Sequence, residues 1–432
     1  MGIQIARRKN FSARNSMLRR AGLAGALAGV AMFASPLQAA EMGNWIGTWT
    51  ASAQPVWGPD FPVPLGMPTS LWNQTIRQVA RISIGGSKVR IVLSNEYGAM
   101  PLKVGEAHIA LAADGGKIQA GSDHAVTFGG SPSIVIPVGA PAISDPIDLA
   151  VAPLAKVSVS LFFPEVSPTT TMHWDGHQTA YVAAGDKVAD VDFKADAKQT
   201  QRVFLTEIMV DAPADTRAVV TFGDSITDGD GSTVDGNDRW PDVLAERFAK
   251  AGGAPVAILN EGISGAKVLT DRMGVNALAR FDRDVLAQPH ADSVILMMGI
   301  NDVGWPGCAI APRDPEPNAD DIIEGYKQLI ARAHAHGMKI IAATLTPFNS
   351  AFDGTPFQGY YNPEKEKVRL ALNAFLRSGA FDGVIDFDKV IADPQQPSHS
   401  QAKYDKGDHL HPNPAGYAAM GSSIDLKTLT KQ

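Results

Sequence analysis

Two short stretches, far apart in the chain, hold the residue types of a serine nucleophile and its base. Gly223-Asp224-Ser225-Ile226-Thr227-Asp228-Gly229 directly follows the apolar run Ala218-Val219-Val220-Thr221-Phe222, which places Ser225 in a strand-to-helix turn. A hydroxyl in that position attacks a carbonyl carbon if a base reaches it; otherwise it is an ordinary helix cap. Near the carboxyl end stands Asp408-His409-Leu410-His411-Pro412-Asn413. Three residues of spacing bring Asp408 and His411 together across one tight turn. The carboxylate can then accept from one ring nitrogen and leave the other as proton acceptor. Alone, the same motif reads as a surface acid and histidine beside a proline turn. His409 competes as base, but adjacent positions aim their side chains apart, which favours His411. Asp224 adjoins the serine and cannot face the same histidine, so it reads as a hydrogen-bonder of the turn.

Acyl transfer also needs donors for a developing oxyanion. Gly265, in Asn260-Glu261-Gly262-Ile263-Ser264-Gly265, can bring its N–H close to a substrate, and Asn301, in Gly299-Ile300-Asn301-Asp302, can donate from its amide. With the N–H of Ser225 these make a candidate oxyanion hole. Each alone is a common loop residue; the argument rests on their joint placement. Gly262-Ile263-Ser264-Gly265-Ala266 approaches a G-x-S-x-G elbow, but Ala266 holds the last position, so Ser264 is a poor rival nucleophile.

The elements that must position these residues follow from periodicity. After residue 212, apolar runs at 218–222, 255–259, 293–298, 339–345 and 384–387 alternate with helical spacing at 240–250, 275–286, 319–336, 363–377 and 414–424. That rhythm predicts an α/β domain, 213–432, doubly wound in the flavodoxin-like manner: a parallel five-stranded sheet with helices on both faces. Ligands of such sheets sit at the carboxyl ends of the strands, where Ser225, Gly265, Asn301 and the Asp408–His411 turn all fall. Residues 41–212 read instead as short strands between Gly/Pro turns, an all-β sandwich or jelly-roll domain. Its clearest signal is the pair of alternating runs 79–84 and 88–93 around Gly85-Gly86, which predicts a hairpin facing Ile82, Ile84, Val89, Ile91 and Leu93 inward.

Residues 1–40 have another character. Six basic residues and no acid precede the apolar run 21–34 and Pro36-Leu37-Gln38-Ala39-Ala40, the parts of a bacterial export signal. The run is shorter than the roughly 20 residues that span a bilayer, so a secreted or periplasmic protein without stable membrane insertion is expected. Two Arg-Arg pairs leave the export route open. Without that segment, 32 Lys+Arg face 45 Asp+Glu, a net charge of −13, which repels nucleic acid and anionic membranes. Cys308 is the sole cysteine, so neither an internal disulfide nor a thiolate metal cluster can form. His173 and His177 flank Trp174-Asp175-Gly176 and could suggest a metal site, but in a loop-like stretch without helical support they read as packing or surface residues; no metal and no cofactor is expected.

Gly223-Asp224-Ser225, Gly265, Gly299-Ile300-Asn301-Asp302 and Asp408-His409-Leu410-His411 resemble, in order and in strand linkage, the four blocks of the GDSL/SGNH hydrolase family over about 214–432. Asn237-Asp238-Arg239-Trp240-Pro241 and the β-rich amino-terminal half are more loosely similar to its acetylxylan-esterase-like, lipase/acylhydrolase branch. The resemblance implies a serine carboxylic-ester hydrolase working through an acyl-enzyme: Ser225 nucleophile, His411 base, Asp408 its orienting acid, with Ser225, Gly265 and Asn301 as oxyanion donors. By fold analogy an added β domain implies removal of acetyl or other short acyl groups from glycans or small esters. Longer acyl chains, as in a lipase or lysophospholipase, are the alternative. A reading of another class is a carbohydrate-binding protein on an inactive scaffold. A phosphate-handling hydrolase has neither a P-loop lysine nor a carboxylate cluster to support it. Trp305 and Phe348 follow strands at the active edge and are candidate pocket walls, with core packing the alternative for Phe348.

Overall fold

The structure is a computed structural model; it describes residues 43–59, 61–308 and 311–429. The expected export segment, 1–40, lies outside the described residues. From Trp45 to Asp211 the chain builds mainly antiparallel sheets. One has the strand order Trp45–Thr50, Leu205–Asp211, Val89–Ser94, Pro141–Ile143, and a larger one centres on Gln74–Arg81 between Lys156–Phe163 and Ala180–Ala184. Val157, Val159 and Leu161 point to one face of the larger sheet, as their alternation requires, and share one buried apolar cluster with Ile91, Ile208 and Val210 of the smaller. Ser158 and Ser160, on the other face, are buried as well. The guanidinium of buried Arg77 donates to Ser160 Oγ at 2.7 Å and to the carbonyl of Val188 at 2.9 Å.

The expected hairpin is corrected. Gln74–Arg81 pairs with Lys156–Phe163 in the larger sheet, while Val89–Ser94 pairs with Leu205–Asp211 in the smaller one. The five apolar residues do face a core, as expected, but the connection is a corner between sheets. Two-residue hairpin turns need positive φ, and neither Gly85 nor Gly86 has it. Instead Thr48 takes the N–H of Ile84 at 2.9 Å, Gly86 bridges to Val151 at 3.0 Å, and a Cβ at Gly85 would strike the Val151 carbonyl. Those glycines serve close backbone approach, not reversal.

Beyond Asp211 the architecture becomes parallel. Strands β1 (Arg217–Gly223), β2 (Val256–Gly262), β3 (Ala291–Met297), β4 (Lys339–Ala343) and β5 (Gly383–Ile385) form, among the described residues, a five-stranded sheet in the order β2-β1-β3-β4-β5. Both faces are covered. Val219, Ile295 and Ile341 pack beneath Trp240 and Tyr417 of helices Trp240–Ala251 and Pro414–Ser423. On the opposite face Val220, Val294 and Leu296 meet Ile322, Tyr326 and Leu329 of helix Ala319–Ala335. Each such side chain contributes about 1.5–3 kcal/mol by leaving water, which is why the strands read as continuous apolar runs. Capping explains the helix starts: Asn318 accepts from Asp320, and Asn413, before Pro414, accepts from Gly416. The predicted helix at 275–286 is helical over Ala277–Phe281 and continues as a wider π turn, Asp282–Leu286, which holds Asp284 inward against Arg280. Chain order reverses between β1 and β3, so the crevice at their carboxyl ends is where a ligand belongs.

Candidate active site

Ser225 opens a four-residue helix, Ser225–Asp228, immediately after β1. Asp224 caps that helix, accepting from the N–H of Ile226 at 3.1 Å, and its second carboxylate oxygen is buried without a partner. Burial pushes this carboxyl up to about 7. Asp224 therefore plays the turn role read from the sequence. Arg280, fully buried, donates to the carbonyls of Gly223 at 2.9 Å and Glu261 at 2.8 Å. It ties the ends of β1 and β2 together just below the serine.

The structure brings Ser225, His411 and Asp408 into one hydrogen-bonded line. Ser225 Oγ lies 2.7 Å from His411 Nε2, and His411 Nδ1 lies 2.7 Å from Asp408 Oδ2. Asp408 Oδ1 accepts from the backbone N–H groups of Leu410 and His411 at 3.0 and 2.9 Å. That clasp is the tight turn implied by the three-residue spacing. His409, with a left-handed φ of 61°, aims away and pairs with Asp405 at 2.6 Å. Burial opposes ionisation of Asp408, but the His411 contact and the nearby Lys406 ammonium outweigh it and hold the carboxyl well below the usual range. For His411 burial likewise opposes the cation, yet the carboxylates of Asp230 and Asp408 prevail and raise the ring above its ordinary 6.5. Asp230, whose Oδ2 is 3.5 Å from His411 Nδ1, was not foreseen from the sequence. It sits one turn beyond Ser225 and pairs with Lys406, which also reaches Asp408 at 3.2 Å.

Gly265 and Asn301 line the same cavity as Ser225 and His411. The N–H groups of Ser225 and Gly265 meet no acceptor among the described residues. Gly265 has a φ of +74°, and a Cβ there would run into Met273. Asn301 is oriented from both ends: its Nδ2 donates to the Ala266 carbonyl at 3.0 Å and its Oδ1 accepts from Tyr360 at 2.8 Å. One amide hydrogen is left for the cavity. Ser264 is otherwise employed, its hydroxyl donating to Asp175 at 2.6 Å.

The cavity has a volume of about 460 Å³. Trp305 is one of its walls, whereas Phe348 is buried against Tyr360 and Tyr361 and takes the packing role. Phe352, also unforeseen, stands 6.0 Å from the His411 ring. His173 is engaged by Asp228 at 2.9 Å and the Ser52 carbonyl at 3.1 Å, as a packing histidine would be. His177, by contrast, lies beside Asp175 and Asp230, with ligand atoms of the three within 4.8 Å of one another. The Lys406 ammonium already supplies a cation to Asp230, and we assign no ion there.

Residues 219–424 match the family described as GDSL-like Lipase/Acylhydrolase. No curated protein matches the chain. Solved structures similar to it include a carbohydrate acetylesterase from Sinorhizobium meliloti (21% identity, 49% of this chain and 98% of that one, TM-score 0.37). Another is a GDSL-like lipase from Bacteroides thetaiotaomicron (19% identity, 49% and 88%, TM-score 0.35). An acetyl xylan esterase gives 19% identity over 48% and 96%, with a TM-score of 0.34. Residues 219–424 thus form a GDSL-like lipase/acylhydrolase domain, and the protein is a serine ester hydrolase.

Proposed function

We propose that Ser225, His411 and Asp408 carry the hydrolysis of a carboxylic ester through an acyl-enzyme. The carrying observation is the 2.7 Å contact between Ser225 Oγ and His411 Nε2 at a cavity that also holds Gly265 and Asn301. His411 takes the Ser225 proton as Oγ bonds to the ester carbon. The N–H groups of Ser225 and Gly265 and the Asn301 amide receive the oxyanion; His411 then protonates the departing alcohol. A water, deprotonated by the same ring, releases the acid and restores the hydroxyl. Acetyl and other short acyl esters suit this machinery whatever fills the rest of the cavity, and a glycan carrier remains an inference from the β half alone. We further propose export after removal of residues 1–40 and a domain division at 212/213; the latter is supported by the change from antiparallel to parallel strands between Asp211 and Arg217. No helix among the described residues is long and apolar enough to cross a membrane. The test is Ser225→Ala, assayed on p-nitrophenyl acetate: hydrolysis drops to background while the unfolding temperature holds. Turnover near that of the parent sinks the assignment.

A further inference from the structure

The family match begins at residue 219, yet the cavity at Ser225 is walled from both halves of the chain. Pro62, Val63, Pro64 and Trp174 belong to the β half and face Trp305 and Phe357 of the α/β half. The β-half wall is fastened locally: Trp57 Nε1 donates to the Val63 carbonyl at 2.7 Å, and Trp174 Nε1 to Pro64 at 3.2 Å. Ring contacts form a continuous series from Trp174 to His411. Trp174 meets Trp57 at 5.7 Å, Trp57 meets Phe61 at 5.5 Å, and Phe61 meets Trp305 at 6.2 Å. From Trp305 the series continues through Phe357 (6.4 Å) and Phe352 (5.5 Å) to the His411 ring (6.0 Å).

The polar groups of this cavity are few, and apart from the Trp305 indole N–H, which is buried without a partner, they are engaged. Ser225, His411 and Asn301 belong to the proposed chemistry; Ser264 is held by Asp175, and Asp230 by Lys406. A sugar would bring several hydroxyls into a space where the Trp305 N–H is the one group outside the proposed chemistry left to meet them, at a cost for each hydroxyl that stays unpaired. A hydrocarbon group loses nothing there and gains by leaving water.

We propose that Trp57, residues 61–64 and Trp174 make the amino-terminal half a working part of the active site, where they complete an aromatic recess that takes an alkyl or aryl group of the ester. This rests on the reading of Ser225 as nucleophile. The hydrocarbon can enter on the acyl or on the alcohol side, and the test separates the two. Purified full-length enzyme is assayed on p-nitrophenyl esters from acetate to octanoate, on acetates of ethanol through octanol, and on an acetylated xylo-oligosaccharide. In one of the two homologous series kcat/KM rises roughly fourfold per methylene until the recess is full. Trp174→Ala, and separately Val63→Asn on a half-exposed loop position, lower the long-to-short ratio in that series about tenfold. Both series flat or falling from the shortest member, or the oligosaccharide outrunning every hydrocarbon ester, overturns the proposal while Ser225-dependent hydrolysis of acetate keeps the esterase reading intact. An unchanged ratio in both folded variants removes the β half from the site. Loss of all Ser225-dependent hydrolysis overturns both readings together.

Discussion

Asp408→Asn is the most searching perturbation of the site, because it preserves shape and alters one proton. Asp408 Oδ1 holds two backbone N–H groups, at 3.0 and 2.9 Å, while Oδ2 faces His411 Nδ1 at 2.7 Å. An asparagine has only one oxygen. Turning it toward His411 sets its NH₂ against both backbone donors, which costs about 2–4 kcal/mol in lost bonds and unpaired groups. Leaving it on the backbone sets NH₂ opposite Nδ1 and gives up the partly buried Lys406 contact at 3.2 Å, worth about 1 kcal/mol. The second arrangement wins. His411 must then carry its proton on Nε2, where it donates toward Ser225 instead of accepting from it. Loss of the working tautomer costs about 10⁴ in kcat, or about 5 kcal/mol of barrier. Steady-state turnover of p-nitrophenyl acetate reads the loss, nitrogen NMR of the imidazole reads the tautomer, and thermal unfolding confirms the fold. An asparagine variant within tenfold of the parent, or one with the proton still on Nδ1, refutes this reasoning.

Asp230→Asn removes a negative charge that raises His411. Since the base must be neutral, activity grows as pH climbs through its pKa; lowering that pKa moves the acid limb of kcat/KM to lower pH, and an unmoved or upward-moved limb contradicts the assignment. Asn301→Ala should cost roughly 10²–10³ in kcat, with a smaller change in KM, through loss of one oxyanion donor. Gly265→Ala strains a left-handed position and collides with Met273, so a comparable fall in kcat is expected; stopped-flow acylation rates near the parental value would argue against an oxyanion role. His409→Ala keeps its activity within about twofold, because that ring faces Asp405 at the surface; a large loss in a folded variant would mean that the wrong histidine has been chosen.

Local spacing was enough to place Ser225 in its turn and Asp408 in reach of His411, since both relations lie within a few residues and depend on backbone geometry that short motifs dictate. The order of apolar runs likewise determined the α/β half: strands buried on both faces must be continuous, and helices must bury one stripe. Only the tertiary structure decided what comes from afar. Asp230 beside His411, Arg280 under the serine turn, and Trp174 with residues 62–64 across the cavity are separated from their partners by tens to hundreds of positions, and nothing in their own neighbourhoods marks them. The runs around Gly85-Gly86 make the same point. Their alternation established that Ile82 and Val89 are buried, but an alternating strand is equally ready to pair with any partner. Which one it takes is settled by Thr48 closing on Ile84 and Val151 on Gly86, contacts between remote segments that form only when the sheets assemble.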